Sequence, residues 1–120
     1  MPSVLIVDDE ADMRFIVRCL VEQADWEVAG EAASGEEAVA RWRELRPDVI
    51  VLDQRMPGIS GLEAAALILA EDSPPPIVLF TVARDDDLVS EARAVGIRTC
   101  LSKWDPDHLM AALAGELAGR

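Results

Sequence analysis

Four short apolar runs constrain the fold of this chain more than any other feature of its sequence. They cover residues 4–7, 49–52, 77–80 and 97–101. None follows the strict alternation of apolar and polar residues expected of a strand with one face in water. Apolar runs of this length, bounded by polar residues, are typical of strands buried on both faces in a parallel sheet. We therefore predict buried parallel strands at these four positions.

Helix signals fill the segments between the runs, and residues 26–32 indicate one further strand. An apolar stripe over 11–24 predicts the first helix, and capping boxes at Ser34 with Glu37 and at Ser60 with Glu63 begin the second and third. The fourth helix begins at the acidic residues from Asp85 and ends at Gly96. Asp105 before Pro106 begins the fifth. Right-handed crossovers then predict a flavodoxin-like doubly wound α/β fold with five helices and a five-stranded parallel sheet. The predicted strand order is 2-1-3-4-5.

Polar side chains follow the apolar runs at the points where the predicted strands end. These residues are Asp8, Asp9, Asp53, Thr81 and Lys103. Since the carboxyl ends of parallel strands meet at one edge of the sheet, residues far apart in sequence should share one crevice there. Clustered carboxylates repel unless a cation is present, so the set predicts a divalent cation beside a bound anion. An alternative is that Asp8 and Asp9 only cap the first helix.

Composition limits the classes of function that the chain can have. Its 120 residues, 51% of them hydrophobic, suit one domain over 1–120, and the formal charge of −12 argues against direct nucleic-acid binding. A cytoplasmic protein is predicted, because the amino terminus lacks a secretory signal and no apolar run reaches membrane-spanning length.

Cys19 and Cys100 are interpreted as small core residues, and His108 as a solvent-facing residue.

Four motifs in register resemble the receiver domains of bacterial two-component response regulators. They are VLIVDDE, PDVIVLDQRMPGISGLE, IVLFTVA and CLSK, and the resemblance covers the whole chain. The stretch EVAGEAASGEEAVARWRELRPDVIVLD is similar to receivers of the NarL/FixJ type, which usually precede a helix-turn-helix output domain. The resemblance implies a receiver without an output domain in this chain, and a DNA-binding output domain in a longer parent chain.

The resemblance also implies a role for each candidate residue. Asp53 matches the phosphoacceptor, which takes its phosphoryl group from a sensor histidine kinase or a phosphotransfer protein. Asp9, Asp53 and the backbone carbonyl of Arg55 match the Mg²⁺ ligands, with Asp8 acting through water. Thr81 and Lys103 match the groups that bind phosphoryl oxygens. Such a domain catalyses only its own phosphorylation and dephosphorylation, and it switches conformation to control an output, a partner or a homodimer.

Three residues depart from the family pattern. Cys100 stands where receivers usually carry a tyrosine or phenylalanine that moves together with the threonine. Val82 replaces the small residue that commonly follows that threonine, and its branched side chain is expected to narrow access to Asp53. Trp104 replaces a common proline. We predict a trans peptide bond before Trp104 and partial burial of its indole against the last helix, with an exposed aromatic at a contact surface as the alternative.

Two alternative functions follow from the same residues. Cys100 and Val82 suggest a degenerate receiver that acts as a phosphorylation-independent protein-interaction module. A phosphatase of the haloacid dehalogenase type also uses a nucleophilic aspartate, a hydroxyl, a lysine and Mg²⁺. In that class, however, the nucleophile ends the first strand in a DxD motif and the chain carries a cap insertion. Here Asp8 and Asp9 are adjacent and no cap segment is present.

Overall fold

Five parallel strands form one sheet in the order β2-β1-β3-β4-β5, as the sequence predicted. The structure is a computed structural model and describes residues 1–82 and 84–119. The strands are β1 Ser3–Val7, β2 Glu27–Ala32, β3 Val49–Leu52, β4 Ile77–Thr81 and β5 Thr99–Ser102. The helices within these residues are α1 Ala11–Gln23, α2 Gly35–Leu45, α3 Gly61–Leu69, α4 Asp86–Val95 and α5 Leu109–Ala118, with a 3₁₀ turn at Pro106–His108.

Helices cover both faces of the sheet, which explains the continuous apolar runs. On one face, α1 and α5 pack Val17 and Leu113 against the strands. On the other, α2, α3 and α4 contribute residues such as Trp42, Ile68 and Ala92. Successive residues of one strand enter opposite cores, so β1, β3 and β4 are buried almost throughout. The edge strand β5 is only half-buried.

Local side-chain bonds set most of the helix starts at the predicted residues. Ser60 Oγ accepts from the Glu63 N–H at 3.2 Å, and the Ser60 N–H donates to Glu63 Oε1 at 2.9 Å, which completes a capping box. Ser34 Oγ accepts from the Glu37 N–H at 3.1 Å, but between these two described residues the return bond is not formed. These bonds satisfy amides that the first helical turn leaves without partners.

The region around the fifth strand differs from the sequence prediction in two ways. The strand begins at Thr99 rather than at Ile97, because the Ile97 N–H bonds the Ala92 carbonyl at 2.8 Å and so completes the end of α4. Asp105 does not cap the last helix. Its Oδ2 instead lies 2.7 Å from His108 Nδ1, and a 3₁₀ turn precedes α5. His108 is exposed, as predicted.

The prediction that the Trp104 indole is partly buried is wrong. Trp104 is 81% exposed, because the chain turns outward between β5 and the 3₁₀ turn, where the Trp104 N–H bonds Ser102 Oγ at 3.1 Å. No peptide bond within residues 1–82 and 84–119 is cis. Across the described parts of the chain, no helix combines the length and the apolar character needed to cross a membrane.

Candidate functional site

Backbone hydrogen bonds fix the residues that follow the strands. The Asp53 N–H donates to the Val7 carbonyl at 3.0 Å, and the Lys103 N–H donates to the Thr81 carbonyl at 3.0 Å. The ladder of the sheet therefore continues one residue beyond β3 and β5. Because all strands are parallel, these residues lie at the same edge of the sheet, as the topology predicted.

Lys103 joins two carboxylates at this edge. Its Nζ lies 2.5 Å from Asp8 Oδ2 and 3.1 Å from Asp53 Oδ2. All three residues are buried, with exposed fractions of 3% for Asp8, 5% for Asp53 and 7% for Lys103. A single ammonium neutralises only one of the two carboxylates. The buried cluster therefore carries an excess of negative charge, which favours binding of a further cation.

Burial and charge shift the acid–base behaviour of this cluster. Burial raises the pKa of Asp53, and repulsion from Asp8 adds to that shift, so the attraction of Lys103 does not cancel it. Burial also disfavours the charged form of Lys103. The hydrogen bond to Asp8 and the attraction of Asp53 outweigh that effect and leave the pKa of Lys103 raised. The raised pKa of Lys103 keeps it an ammonium. The raised pKa of Asp53 means that its ionised form is disfavoured, and a further positive charge nearby would stabilise that form.

A second group of oxygen ligands lies beside the cluster. One carboxylate oxygen from each of Asp8, Asp9 and Glu10 lies within 4.8 Å of the others, with Asp9 and Glu10 exposed. Asp53 is not in this group, since its Oδ2 faces Lys103 and its Oδ1 accepts from the Gln54 N–H at 2.8 Å. Carboxylate oxygens are the ligands that Mg²⁺ prefers. The donor set of this loop therefore fits Mg²⁺.

The hydroxyl of Thr81 is buried, and none of the described residues pairs with it. Thr81 is 0% exposed, and its Oγ1 forms no hydrogen bond with any described residue. Buried polar groups are almost always bonded, so this hydroxyl is a candidate donor to an anion at this edge of the sheet. An anion bound at Asp53 would supply an acceptor for it.

Two of the residues that depart from the family pattern, Val82 and Cys100, differ in their surroundings. Val82 is 48% exposed. Cys100, on β5, is half-buried against the core that also contains Trp42, and its carbonyl accepts from Arg84 Nε at 3.0 Å. The Arg55 side chain is exposed and lines a groove of about 240 Å³ together with Asp85, Asp87, Glu91, Leu88 and Gln54.

Sequence reasoning missed two residues that hold the loop after Asp53. Gln54 Oε1 accepts from the Leu62 N–H at 2.8 Å, which ties this loop to the start of α3. A β-carbon at Gly61 would lie 2.1 Å from the Asp53 carbonyl oxygen, so only glycine lets α3 approach the strand end this closely. Gly61 appeared in the sequence only as part of a helix cap. Its second role depends on a contact that no local pattern encodes.

Fold and site together define a parallel α/β domain with an acidic, lysine-containing crevice at its topological switch point. The response regulator receiver domain model matches residues 4–114, and this chain belongs to that family. The match spans β1 to α5 and includes every candidate residue.

Individual relatives agree with this assignment. The chemotaxis protein CheY of Thermotoga maritima is 36% identical over 111 residues, which cover 92% of each chain. The transcriptional regulatory protein LiaR of Bacillus subtilis is 38% identical over an alignment of 122 positions, which covers 97% of this chain but 58% of LiaR. The crystal structure of a LuxR-family two-component response regulator from Aurantimonas sp. SI85-9A1 superposes with a TM-score of 0.94 at 33% identity, covering 100% of this chain and 87% of that one.

Proposed function

We propose that this domain is a phospho-switch in which Asp53 accepts a phosphoryl group from a sensor histidine kinase or a phosphotransfer protein. The observation that carries this proposal is the position of Lys103, whose Nζ lies 3.1 Å from Asp53 Oδ2 inside a buried cluster with excess negative charge. A buried carboxylate next to a fixed ammonium suits a nucleophile that must receive an anionic group. We expect this exchange in the cytoplasm, where receiver domains typically act.

The chemistry follows from the groups at the strand ends. A carboxylate oxygen of Asp53 attacks the phosphorus atom, the phosphorus–nitrogen bond of the donor phosphohistidine breaks, and its electron pair stays on the imidazole nitrogen. In this proposal, Lys103 and the Thr81 hydroxyl, which has no partner among the described residues, donate hydrogen bonds to separate phosphoryl oxygens. Asp9, Asp53 and the Arg55 carbonyl would hold Mg²⁺, with Asp8 acting through water, and the ion would supply positive charge that offsets the charge of the phosphoryl group.

Phosphorylation would change the balance of forces at this edge. The phosphoryl group adds a charge of roughly −1.5 to −2 and new acceptors for Thr81 and Lys103. Shifting a two-state equilibrium from mostly inactive to mostly active needs about 5.5 kcal/mol of differential interaction, which a few charge-assisted hydrogen bonds supply. The resulting change in surface would control a partner, a homodimer or a DNA-binding output domain in a longer parent chain.

Intact-mass spectrometry after incubation with phosphoramidate and Mg²⁺ tests the proposal. We expect one phosphoryl adduct in the wild type, and none in Asp53→Asn or in a chelated sample. Asp12→Asn, an exposed aspartate on α1, is the matched control and should keep the adduct.

Two other outcomes would point to the alternative functions. Absence of an adduct, together with absence of Mg²⁺-dependent beryllofluoride binding, would favour the phosphorylation-independent interaction module. Cys100 at the position of the usual aromatic residue is the feature that makes this module the second candidate. Sustained turnover of a phosphate ester would instead favour a phosphatase.

A further inference from the structure

Arg14 links the acidic loop to strand β2. Its Nη1 donates to the Asp8 backbone carbonyl at 2.7 Å, and its Nε donates to Glu31 Oε1 at 3.0 Å. The Arg14 side chain is only 20% exposed, and it comes from the first turns of α1. One planar guanidinium thus contacts both the loop that carries Asp8, Asp9 and Glu10 and the sheet next to it.

A second arginine fixes the anchor of this link. Arg18 Nε and Nη2 donate to Glu31 Oε2 at 2.9 and 2.6 Å. Burial opposes the charge of Glu31, but the bonds from Arg18 and Arg14 outweigh it and lower its pKa. Glu31 is therefore an ionised acceptor at neutral pH, held from two sides. Arg18 shares this acceptor with Arg14, but only Arg14 bonds the Asp8 carbonyl.

The link completes the immobilisation of Asp8. The Asp8 N–H donates to the Ala32 carbonyl at 3.1 Å, its Oδ1 accepts from the Glu10 N–H at 2.9 Å, and its Oδ2 faces Lys103. The carbonyl is the remaining polar group of this residue, and Arg14 is its partner. Without Arg14, the peptide between Asp8 and Asp9 would lose the bond to its carbonyl and be held less firmly, and the position of the Asp9 carboxylate depends on that peptide.

We propose that Arg14 is a positioning residue for the acidic loop, and that the chain of bonds from Glu31 through Arg14 to the Asp8 carbonyl sets the affinity of this loop for Mg²⁺. The Mg²⁺ part of this inference rests on the proposed function, which assigns Asp8 and Asp9 to the ion. Residues that orient metal ligands typically change metal affinity by 10- to 100-fold when they are replaced.

For Arg14→Met, the loss of charge and the loss of positioning predict opposite changes in Mg²⁺ affinity. Arg14→Met removes a positive charge close to the acidic loop, which by charge alone would strengthen Mg²⁺ binding. Loss of the bond to the Asp8 carbonyl would weaken binding, because the ligand oxygens are no longer held together. Arg18→Met is the matched control, since it removes the same charge and the same acceptor contact but leaves the Asp8 carbonyl bonded.

Calorimetric titration of wild type, Arg14→Met and Arg18→Met with Mg²⁺ separates these cases. We expect Arg14→Met to bind Mg²⁺ about tenfold more weakly and Arg18→Met to stay within about twofold of the wild type, because salt screens the more distant charge. Arg14→Lys keeps the charge but lacks the fork of donors, so it should not restore the affinity. Equal or tighter binding by folded Arg14→Met would overturn the proposal.

Amide hydrogen exchange without metal gives an independent readout. We expect the Asp9 and Glu10 amides to exchange faster in Arg14→Met than in Arg18→Met, and unchanged exchange would overturn the positioning role. If Arg14→Met does not fold, Glu31→Gln removes the anchor and takes its place in this comparison. Failure of the wild type to bind Mg²⁺ would overturn the metal assignment and with it the affinity claim, and the exchange comparison would then decide the positioning role alone.

Discussion

The ammonium of Lys103 lies 2.5 Å from Asp8 and 3.1 Å from Asp53, so the lysine bonds the carboxylate beside the predicted nucleophile more closely than the nucleophile itself. Lys103→Met would leave two buried carboxylates without a counter-charge. We expect the free energy of unfolding in chelator to fall by about 3 kcal/mol, and added Mg²⁺ to recover part of this loss. Urea unfolding with and without Mg²⁺ measures both effects.

The control for this substitution is Arg41→Met. Arg41 pairs with Glu44 at 3.6 Å on the surface, where both side chains are well exposed. Exposed pairs contribute at most about 1 kcal/mol, so this variant should unfold almost like the wild type. Equal stability of Lys103→Met and Arg41→Met would contradict the view that Lys103 neutralises the cluster.

Removal of the Thr81 hydroxyl should stabilise the unmodified protein but weaken the binding of a phosphoryl mimic. Thr81→Val removes a buried polar group that has no partner among the described residues, so the unmodified protein should gain about 1 kcal/mol of stability. The same variant should bind beryllofluoride with Mg²⁺ about tenfold more weakly, because a hydrogen bond to a charged acceptor is lost. Thermal unfolding and beryllofluoride titration test the two halves separately.

Thr99→Val provides the matched contrast for Thr81→Val. Thr99 Oγ1 donates to Glu116 Oε1 at 2.7 Å, so its removal leaves a buried carboxylate oxygen with one bond fewer. This variant should lose about 1 kcal/mol of stability and keep its beryllofluoride affinity. Destabilisation by both valines would show that the Thr81 hydroxyl already has a partner, such as water.

Substitution of alanine for Gly61 and for Gly115 should have opposite effects on stability. Gly61→Ala would force a methyl group against the Asp53 carbonyl, and we expect a loss of about 1 to 3 kcal/mol together with slower phosphorylation of Asp53. Gly115 lies in α5 with open space around its α-carbon, so Gly115→Ala should stabilise the protein by roughly 0.5 to 1 kcal/mol. Chemical denaturation measures both. Tolerance of alanine at Gly61 would mean that α3 can retreat without disturbing Asp53.

Because Arg14 and Arg18 both bond Glu31, we expect Glu31 to stabilise the fold in a way that depends on pH. Burial opposes its charge, but the bonds from Arg18 and Arg14 prevail, so the folded pKa of Glu31 lies below its ordinary value. The stabilisation from Glu31 is therefore fully present at pH values above the pKa of Glu31 in the unfolded chain, about 4.3. It is lost as the pH falls through the lower pKa that Glu31 has in the folded protein. Wild type should exceed Glu31→Gln in stability at pH 7, and the difference should shrink below about pH 4.

Local patterns and sheet topology account for most of the fold and for the meeting of the site residues. The apolar runs and capping residues such as Ser60 are local signals, and each acts within a few residues of the element that it starts. The meeting of Asp8, Asp53 and Lys103 is not local. It follows because each residue comes directly after a strand and the strands are parallel. The catalytic and metal-binding roles of these residues stay predictions until the experiments above are made.

Contacts between elements could not be predicted in this way. Arg14 and Glu31 lie 17 residues apart, and a polar helix residue facing a polar strand residue leaves no periodic signal. The exposure of Trp104 depends on the path of the chain into a 3₁₀ turn, which the Asp-Pro pattern indicated only as a helix start. In both cases the outcome depends on how two neighbouring elements are spaced, and a linear pattern does not contain that distance.

The amides of Asp53 and Lys103 belong to the hydrogen-bond ladder of the sheet rather than to the loops that follow them. The reactive side chains thus take their positions from the core of the protein. Apart from Gln54, Arg55 and Gly61 in the loop after Asp53, the loops beyond them can vary in length and composition, as binding loops on rigid scaffolds generally do. Loops from another receiver grafted after these two residues should therefore change partner choice while the nucleophile and the lysine keep their spacing.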